Sequence, residues 1–231
     1  MGLGIKTYLR YKLSEIAGLD KFEGHYKVWR SRRILAILDQ YGHRFFSGKQ
    51  ILEVGAGYGA IGAFFSLLGA EVTCLEGRKA NVRVIQQRYP FVKALLHDLA
   101  QGIPGDAFFD VLIHMGVLYH LPDPEPALRA ACRRCQHLIL ETEVSDSDDP
   151  DLVLSAREHA YGFDQSLVGQ GSRPSPAFVE RILKEENFSF SRITDGRCNW
   201  ELHTYDWPIS NSKQFRNGLR RMWFAEKAAP V

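Results

Sequence analysis

Residues 51–62 read ILEVGAGYGAIG, four glycines within eight residues directly behind a short apolar run. Glycine lets a backbone turn sharply and approach a ligand closely. A helix that starts there points its free N–H groups and its positive dipole end at whatever is held. A strand, a glycine loop and a helix in that order belong to an open α/β sheet, which binds ligands outside the carboxyl ends of its strands.

The following hundred residues keep the beat that such a sheet needs. QILEV (50–54), EVTCLEG (71–77), VKALLH (92–97), the start of FFDVLIHMGVLYH (108–120) and HLILETEV (137–144) read as strands. IGAFFSLLG (61–69), RKANVRVIQQRY (78–89) and PEPALRAACRRC (124–135) read as the helices between them. Gly69 and Pro90 stop two of these helices, and a proline stands in the first turn of the third. Alternating strands and helices predict βαβ units and a parallel sheet with both faces covered. Upstream, YKVWRSRRILAILDQYG (26–42) predicts a packed helix. Downstream, the segment 145–173 is polar, with a helical patch at LVLSAREHAYGF, and PSPAFVERILKEENF (174–188) predicts a helix. FSFSRIT (188–194), WELHTYDW (200–207) and RRMWFAEK (220–227) have strand-like patterns, and the last is expected to close the sheet.

The chain has 231 residues, ample for a sizeable core, and a net charge of +2, too small to suggest nucleic acid by itself. The charge is unevenly spread. Residues 1–50 hold ten Lys/Arg against four Asp/Glu, and ETEVSDSDDPD (141–151) holds six acids and no base. Both runs read as solvated faces, with the basic one also suited to an anionic substrate. No apolar run is long enough for a membrane span, and the start lacks the apolar segment of a secretion signal, so a cytoplasmic protein is expected. Cys132 and Cys135 form a lone CxxC inside a helix-like stretch, where i and i+3 share a face, and read as packing thiols. The histidines form no tight ligand cluster, and no metal is expected.

Three acids stand at successive strand ends: Glu53, Glu76 and Asp98. Gly57, Gly59 and Gly62 also match the dinucleotide pattern GxGxxG, which is weak by itself. An acid just before the glycines would repel a pyrophosphate, whereas it suits a ligand carrying positive charge. Glu76 can accept from two ribose hydroxyls, and Asp98 from an adenine amino group or from a turn N–H.

This constellation resembles the class I S-adenosylmethionine-dependent methyltransferases, over about residues 48–145. ILEVGAGYGAIG is similar to the family's first motif, CLEG to its acidic second-strand end, HDLA to its adenine-side motif, and FFDVLIHMGVLYHLPDP to its fourth-strand motif. GVLYHLPDPEPAL followed by LILETEV is most similar to the branch that includes the tRNA wobble-uridine carboxymethyltransferase. Only the cofactor fold is carried over from that branch, not the tRNA substrate or the carboxylated cofactor. The resemblance implies a Rossmann-like seven-stranded, mostly parallel sheet with helices on both faces and the last strand antiparallel. It implies one methyltransferase domain over 1–231, with an amino-terminal helical cap (1–47), a cofactor-binding half (48–145) and a substrate-side half (146–231) carrying a lid (145–173) and an excursion (196–218). S-adenosyl-L-methionine would be held by Glu53, Gly55, Gly57, Gly59, Glu76, Gly77, Asp98, Leu99 and Met115.

Methyl transfer to a hydroxyl benefits from a general base. His120, at the end of GVLYH, is the first candidate, since histidine as a residue type can accept a proton near neutral pH and this one follows the fourth strand. Tyr119 beside it and His203 in ELHTYDW are the other candidates. His114 reads as a core or wall residue, and Arg157 and Arg173 as surface residues with a possible anion-holding role. Tyr26 or Trp29 would line a substrate wall. The expected acceptor is a small or sugar-like molecule methylated at oxygen or nitrogen. One rival is a tRNA- or nucleotide-modifying enzyme, which requires the helix at 26–33 and Arg216, Arg220 and Arg221 to form one basic surface. Another is an NAD-dependent oxidoreductase, and a third is a protein that holds the cofactor without turnover.

Overall fold

The strand–helix beat closes into one seven-stranded sheet. The computed structural model describes Phe22 and residues 25–228. The chain's first residues, on which the expectation of no secretion signal rests, lie outside the described residues. Helix α1 (His25–Tyr41) leads into β1 (Gln50–Val54), α2 (Ala60–Leu67), β2 (Glu71–Glu76), α3 (Lys79–Arg88) and β3 (Lys93–Leu96). Then come β4 (Phe109–Met115), α4 (Glu125–Arg133), β5 (Cys135–Glu143), the hairpin β6 (Val153–Arg157) and β7 (Gln170–Pro174), α5 (Pro176–Glu185), β8 (Phe188–Arg192) and β9 (Arg220–Lys227).

The sheet order is β3-β2-β1-β4-β5-β9-β8. All pairings from β3 to β5 are parallel, and β9 is antiparallel to both its neighbours. This is the mostly parallel, seven-stranded, Rossmann-like sheet expected, with the closing strand reversed. Residues alternate between its faces. Val111 and Ile113 of β4 pack with Ile37 of α1, Phe65 of α2 and Ile85 of α3. Leu112 packs on the other side with Leu128 of α4 and Ile182 of α5. Ser175 caps α5 by accepting the Phe178 N–H, with Pro176 in the favoured first position. Among the described residues, no helix is long and apolar enough to cross a membrane.

Four readings are corrected. The patch at 152–163 holds strand β6, not a helix. It is one half of a two-stranded hairpin with β7, and that cross-strand ladder outweighs the helical spacing of its apolar residues. WELHTYDW forms only isolated bridges, Trp200 with His203 and Thr204 with Leu219, because the chain turns back at Glu201, whose φ is 50°. The helix read through Cys135 ends at Arg133, and Cys135 begins β5; both thiols are buried and free. The acidic run is not a solvated face at its start, since Glu141, Glu143 and Asp146 are buried. Glu141 and Glu143 alternate onto the α1 face of β5, and the register sets Arg220 directly opposite Glu143.

Candidate functional site

At the carboxyl ends of β1, β2 and β4 a cleft opens between the glycine loop and two covering pieces, the start of α1 and the loop between β6 and β7. Gly55 and Gly57 run at φ 65° and 57°, a conformation open to glycine at no steric cost. A Cβ on Gly55 would lie 2.5 Å from the Val117 side chain, so the two loops meet only because that atom is missing.

Glu53 and Glu76 are buried in this cleft and, among the described residues, neither forms an ion pair. Glu53 accepts from the Gly62 N–H at 2.9 Å and from Cys74 at 3.3 Å. Burial is the stronger influence and pushes its carboxyl up to about 7, against the pull of those hydrogen bonds. Glu76 accepts from the N–H groups of Gly57 (2.8 Å) and Arg78 (2.8 Å) and from Asn81 (3.2 Å). That leaves about one acceptor site of four. Burial raises its pKa as well. Asp98 spends one oxygen on the Ala100 N–H, capping a short turn, and among the described residues its other oxygen has no hydrogen bond. Leu99, Gly77 and Met115 line the same cleft. Two buried acids lacking cation partners fit a cationic, ribose-bearing ligand and not a pyrophosphate.

Across the cleft stands His120. Its Nδ1 is 2.6 Å from Glu158 Oε2 on the β6–β7 loop. Glu158 also accepts from the Ser166 N–H (2.7 Å) and from Arg173 Nη1 (3.2 Å). Burial opposes its charge, but the bonds to His120, Ser166 and Arg173 prevail and hold the Glu158 carboxyl below its ordinary value. A carboxylate on Nδ1 assigns that nitrogen the proton and turns Nε2 outward as an acceptor.

Behind His120 runs a buried chain of alternating charges. Arg173 pairs with Glu143 at 2.8 Å, Arg220 with Glu143 at 3.6 Å and Glu141 at 2.9 Å, and Arg33 with Glu141 at 3.1 Å. Arg220 and Arg33 outweigh burial and keep the Glu141 carboxyl below its ordinary value. With Glu158, which also pairs with Arg173 at 3.2 Å, three arginines face three glutamates and the chain is neutral, which a low-dielectric interior demands. It clamps Tyr119 from two sides: Arg220 donates to its hydroxyl at 3.0 Å and Arg173 to its carbonyl at 3.0 Å.

A model of the family described as methyltransferase domain matches residues 26–191. The chain belongs to this family, the S-adenosylmethionine-dependent methyltransferases. The ubiquinone biosynthesis O-methyltransferase of Chromobacterium violaceum is 32% identical over 102 residues, 38% of this chain and 40% of that protein. The tRNA U34 carboxymethyltransferase of Syntrophotalea carbinolica is 41% identical over 139 residues, 56% of this chain and 41% of that protein. The chain thus spans about two fifths of the length of each of these relatives. Among solved structures, the N-terminal domain of EvdMO1 with SAH bound superposes with a TM-score of 0.64 at 20% identity, covering 85% of this chain and 80% of that one. Magnesium protoporphyrin IX methyltransferase from Synechocystis PCC 6803, with SAM bound, gives 0.60 at 16% identity over 98% and 92%. At such identities the likeness is one of fold.

The methyltransferase brings Glu53, Gly55, Gly57, Glu76, Gly77, Asp98, Leu99, Met115, Tyr119 and His120 to one cleft. Two expected residues are elsewhere. Gly59 is the left-handed residue that starts α2 and faces Ile85, so its role is in the turn. His203 does not reach the cleft: its ring stacks on Trp29 at 4.0 Å and its Nδ1 accepts from Arg220 at 3.1 Å. Tyr119 is no base at neutral pH, because burial pushes its hydroxyl up to about 12 despite Arg220. Arg173, read as a surface residue, is buried in the charge chain. His114 is core: among the described residues both ring nitrogens lack partners, and burial pushes it down to about 4. Sequence reading missed Glu158, Arg78, Phe163 and Asp164, whose signals are contacts across the fold and not local patterns.

Proposed function

We propose that this methyltransferase methylates a hydroxyl oxygen on a small molecule, with His120 as general base. The contact between His120 and Glu158 carries the reading, because an amine or thiolate acceptor needs positioning but no such base. When bound, S-adenosylmethionine supplies an electrophilic methyl group on a sulfonium. Glu53 and the Gly55–Gly57 loop would hold its amino-acid end, Glu76 its ribose, and Asp98 with Leu99 its adenine. Trp29 and Tyr26 form an aromatic wall of the cleft on the α1 side, where a flat or apolar acceptor would lie. Nε2 of His120 takes the hydroxyl proton, and Glu158 stabilises the imidazolium that results. Tyr119, fixed from both sides, excludes water and sets the angle of approach.

The O-methyltransferase relative supports a hydroxyl acceptor. The tRNA-modifying relative favours a nucleic-acid acceptor instead. Against that stand Arg220 and Arg221, which are buried and contribute nothing to a basic surface. The decisive assay incubates the chain with methyl-tritiated S-adenosylmethionine and separate panels of hydroxylated, amino and thiol compounds and bulk tRNA. Label should enter hydroxyl compounds, and His120→Gln should lower kcat by about 10²–10⁴-fold. Label in amines or tRNA alone, or an undiminished His120→Gln enzyme, would overturn the reading.

A further inference from the structure

The loop between β6 and β7 touches both ends of the reaction. At one end, the Arg78 guanidinium donates to the carbonyls of Gln165 (2.8 Å) and Ser166 (3.3 Å). The same residue's backbone N–H holds Glu76 Oε1. Leu167 Cδ1 lies 2.6 Å from where a Cβ on Gly77 would stand, so the loop roofs the ribose side of the cleft. At the other end, the Ser166 N–H shares Glu158 Oε2 with His120. Further along the roof, Tyr26 donates to Asp164 at 2.5 Å and Phe163 packs edge-on to Phe22. Anything bound at Glu76 lies beneath this roof.

We propose that Arg78 is a positioning residue that ties seating of this lid to assembly of the base. It has no contact with His120 and acts through four links: guanidinium to the Gln165 and Ser166 carbonyls, Ser166 N–H to Glu158, and Glu158 to His120 Nδ1. With the lid seated, Glu158 Oε2 is pinned by Ser166 and directed at His120. With the lid lifted, Glu158 keeps Arg173 on its other oxygen but loses that pin, and His120 loses its fixed tautomer. The base is then complete only when the ribose side of the cleft is covered, which limits methyl loss to water from a half-open site. The inference rests on the reading of His120 as the base.

The test needs no acceptor. The full chain is saturated with S-adenosylhomocysteine, lid exchange over 158–169 is followed by hydrogen–deuterium exchange, and the His120 ring tautomer by ¹⁵N NMR, assigned with His120→Gln. Wild type should show a protected lid and a single Nδ1–H form of neutral His120. Arg78→Ala should speed lid exchange about tenfold or more, the scale of losing hydrogen bonds to a charged donor, and should mix the two tautomers. Arg78→Lys, which keeps the charge and one donor group, should restore most of both signals. If Arg78→Ala binds the homocysteine product while lid exchange and tautomer stay as in wild type, the inference is wrong and the reading of His120 stands. If saturated wild type itself shows mixed tautomers of His120, the reading of His120 fails first and the inference with it.

Discussion

Glu53 shows how one residue ties the cleft to pH. Its carboxyl sits among Gly62, Cys74 and the core, and burial outweighs the hydrogen bonds it accepts. An unfolded chain releases this proton near pH 4.5, while the folded one keeps it to about 7. Between those values the folded chain binds the extra proton, so raising the pH favours unfolding. The contribution of Glu53 is full below pH 4.5 and declines by on the order of 3 kcal/mol as the pH passes 7. Urea titrations from pH 4.5 to 7.5 should show this downward component, and Glu53→Gln should lack it; equal slopes would refute the assignment. A cationic ligand beside Glu53 favours its charged form. Binding of S-adenosylmethionine should therefore release a proton below pH 7, read as a buffer-dependent calorimetric enthalpy that vanishes in Glu53→Gln.

At the scale of elements, β9 contributes more than its place in the sheet. Its alternation sends Arg220 to the α1 face, where it meets Glu141, Glu143, Tyr119 and His203. Arg220→Met should cost about 3–5 kcal/mol, because it takes one of two arginine partners from Glu141 and from Glu143 and leaves the buried chain with one uncompensated negative charge. Arg129, tied by ion pairs to Glu125, Glu185 and Glu186 on the solvent side of α4 and α5, makes the useful contrast. Arg129→Ala should cost no more than about 1 kcal/mol. Thermal melts of the two variants in parallel compare the effects, and equal losses would contradict the account of the buried chain. The strands from β1 to β5 were legible because their apolar runs are bounded by glycine, proline and amphipathic helices. The hairpin β6–β7 was not, because its stability comes from pairing across twelve intervening loop residues and not from local pattern. Glu141 and Glu143 looked like part of a solvated acidic run for the same reason: their partners lie on α1, β7 and β9, far away in sequence.

Across the whole molecule, the sheet order places the glycine loop where β1 lies between β2 and β4, and chain from both sides of the sequence folds over that point. The residues expected to hold the cofactor stand out in the sequence because they sit on one continuous stretch from Glu53 to Met115. The proposed base was legible only in part: His120 stands out after β4, while Glu158, Ser166, Arg173 and Arg78 join it through tertiary contacts. The central claim is that two unpaired acids and a glycine loop hold an adenosyl cofactor and not a nicotinamide one. Calorimetric titration of wild type, Glu76→Gln and Glu76→Ala with S-adenosylhomocysteine, NAD and NADP tests it most directly. The account predicts that wild type binds the homocysteine compound alone, and that both variants weaken it by about 10–100-fold through loss of charged hydrogen bonds to ribose. Binding of NAD by wild type, with no response to S-adenosylhomocysteine, would contradict it.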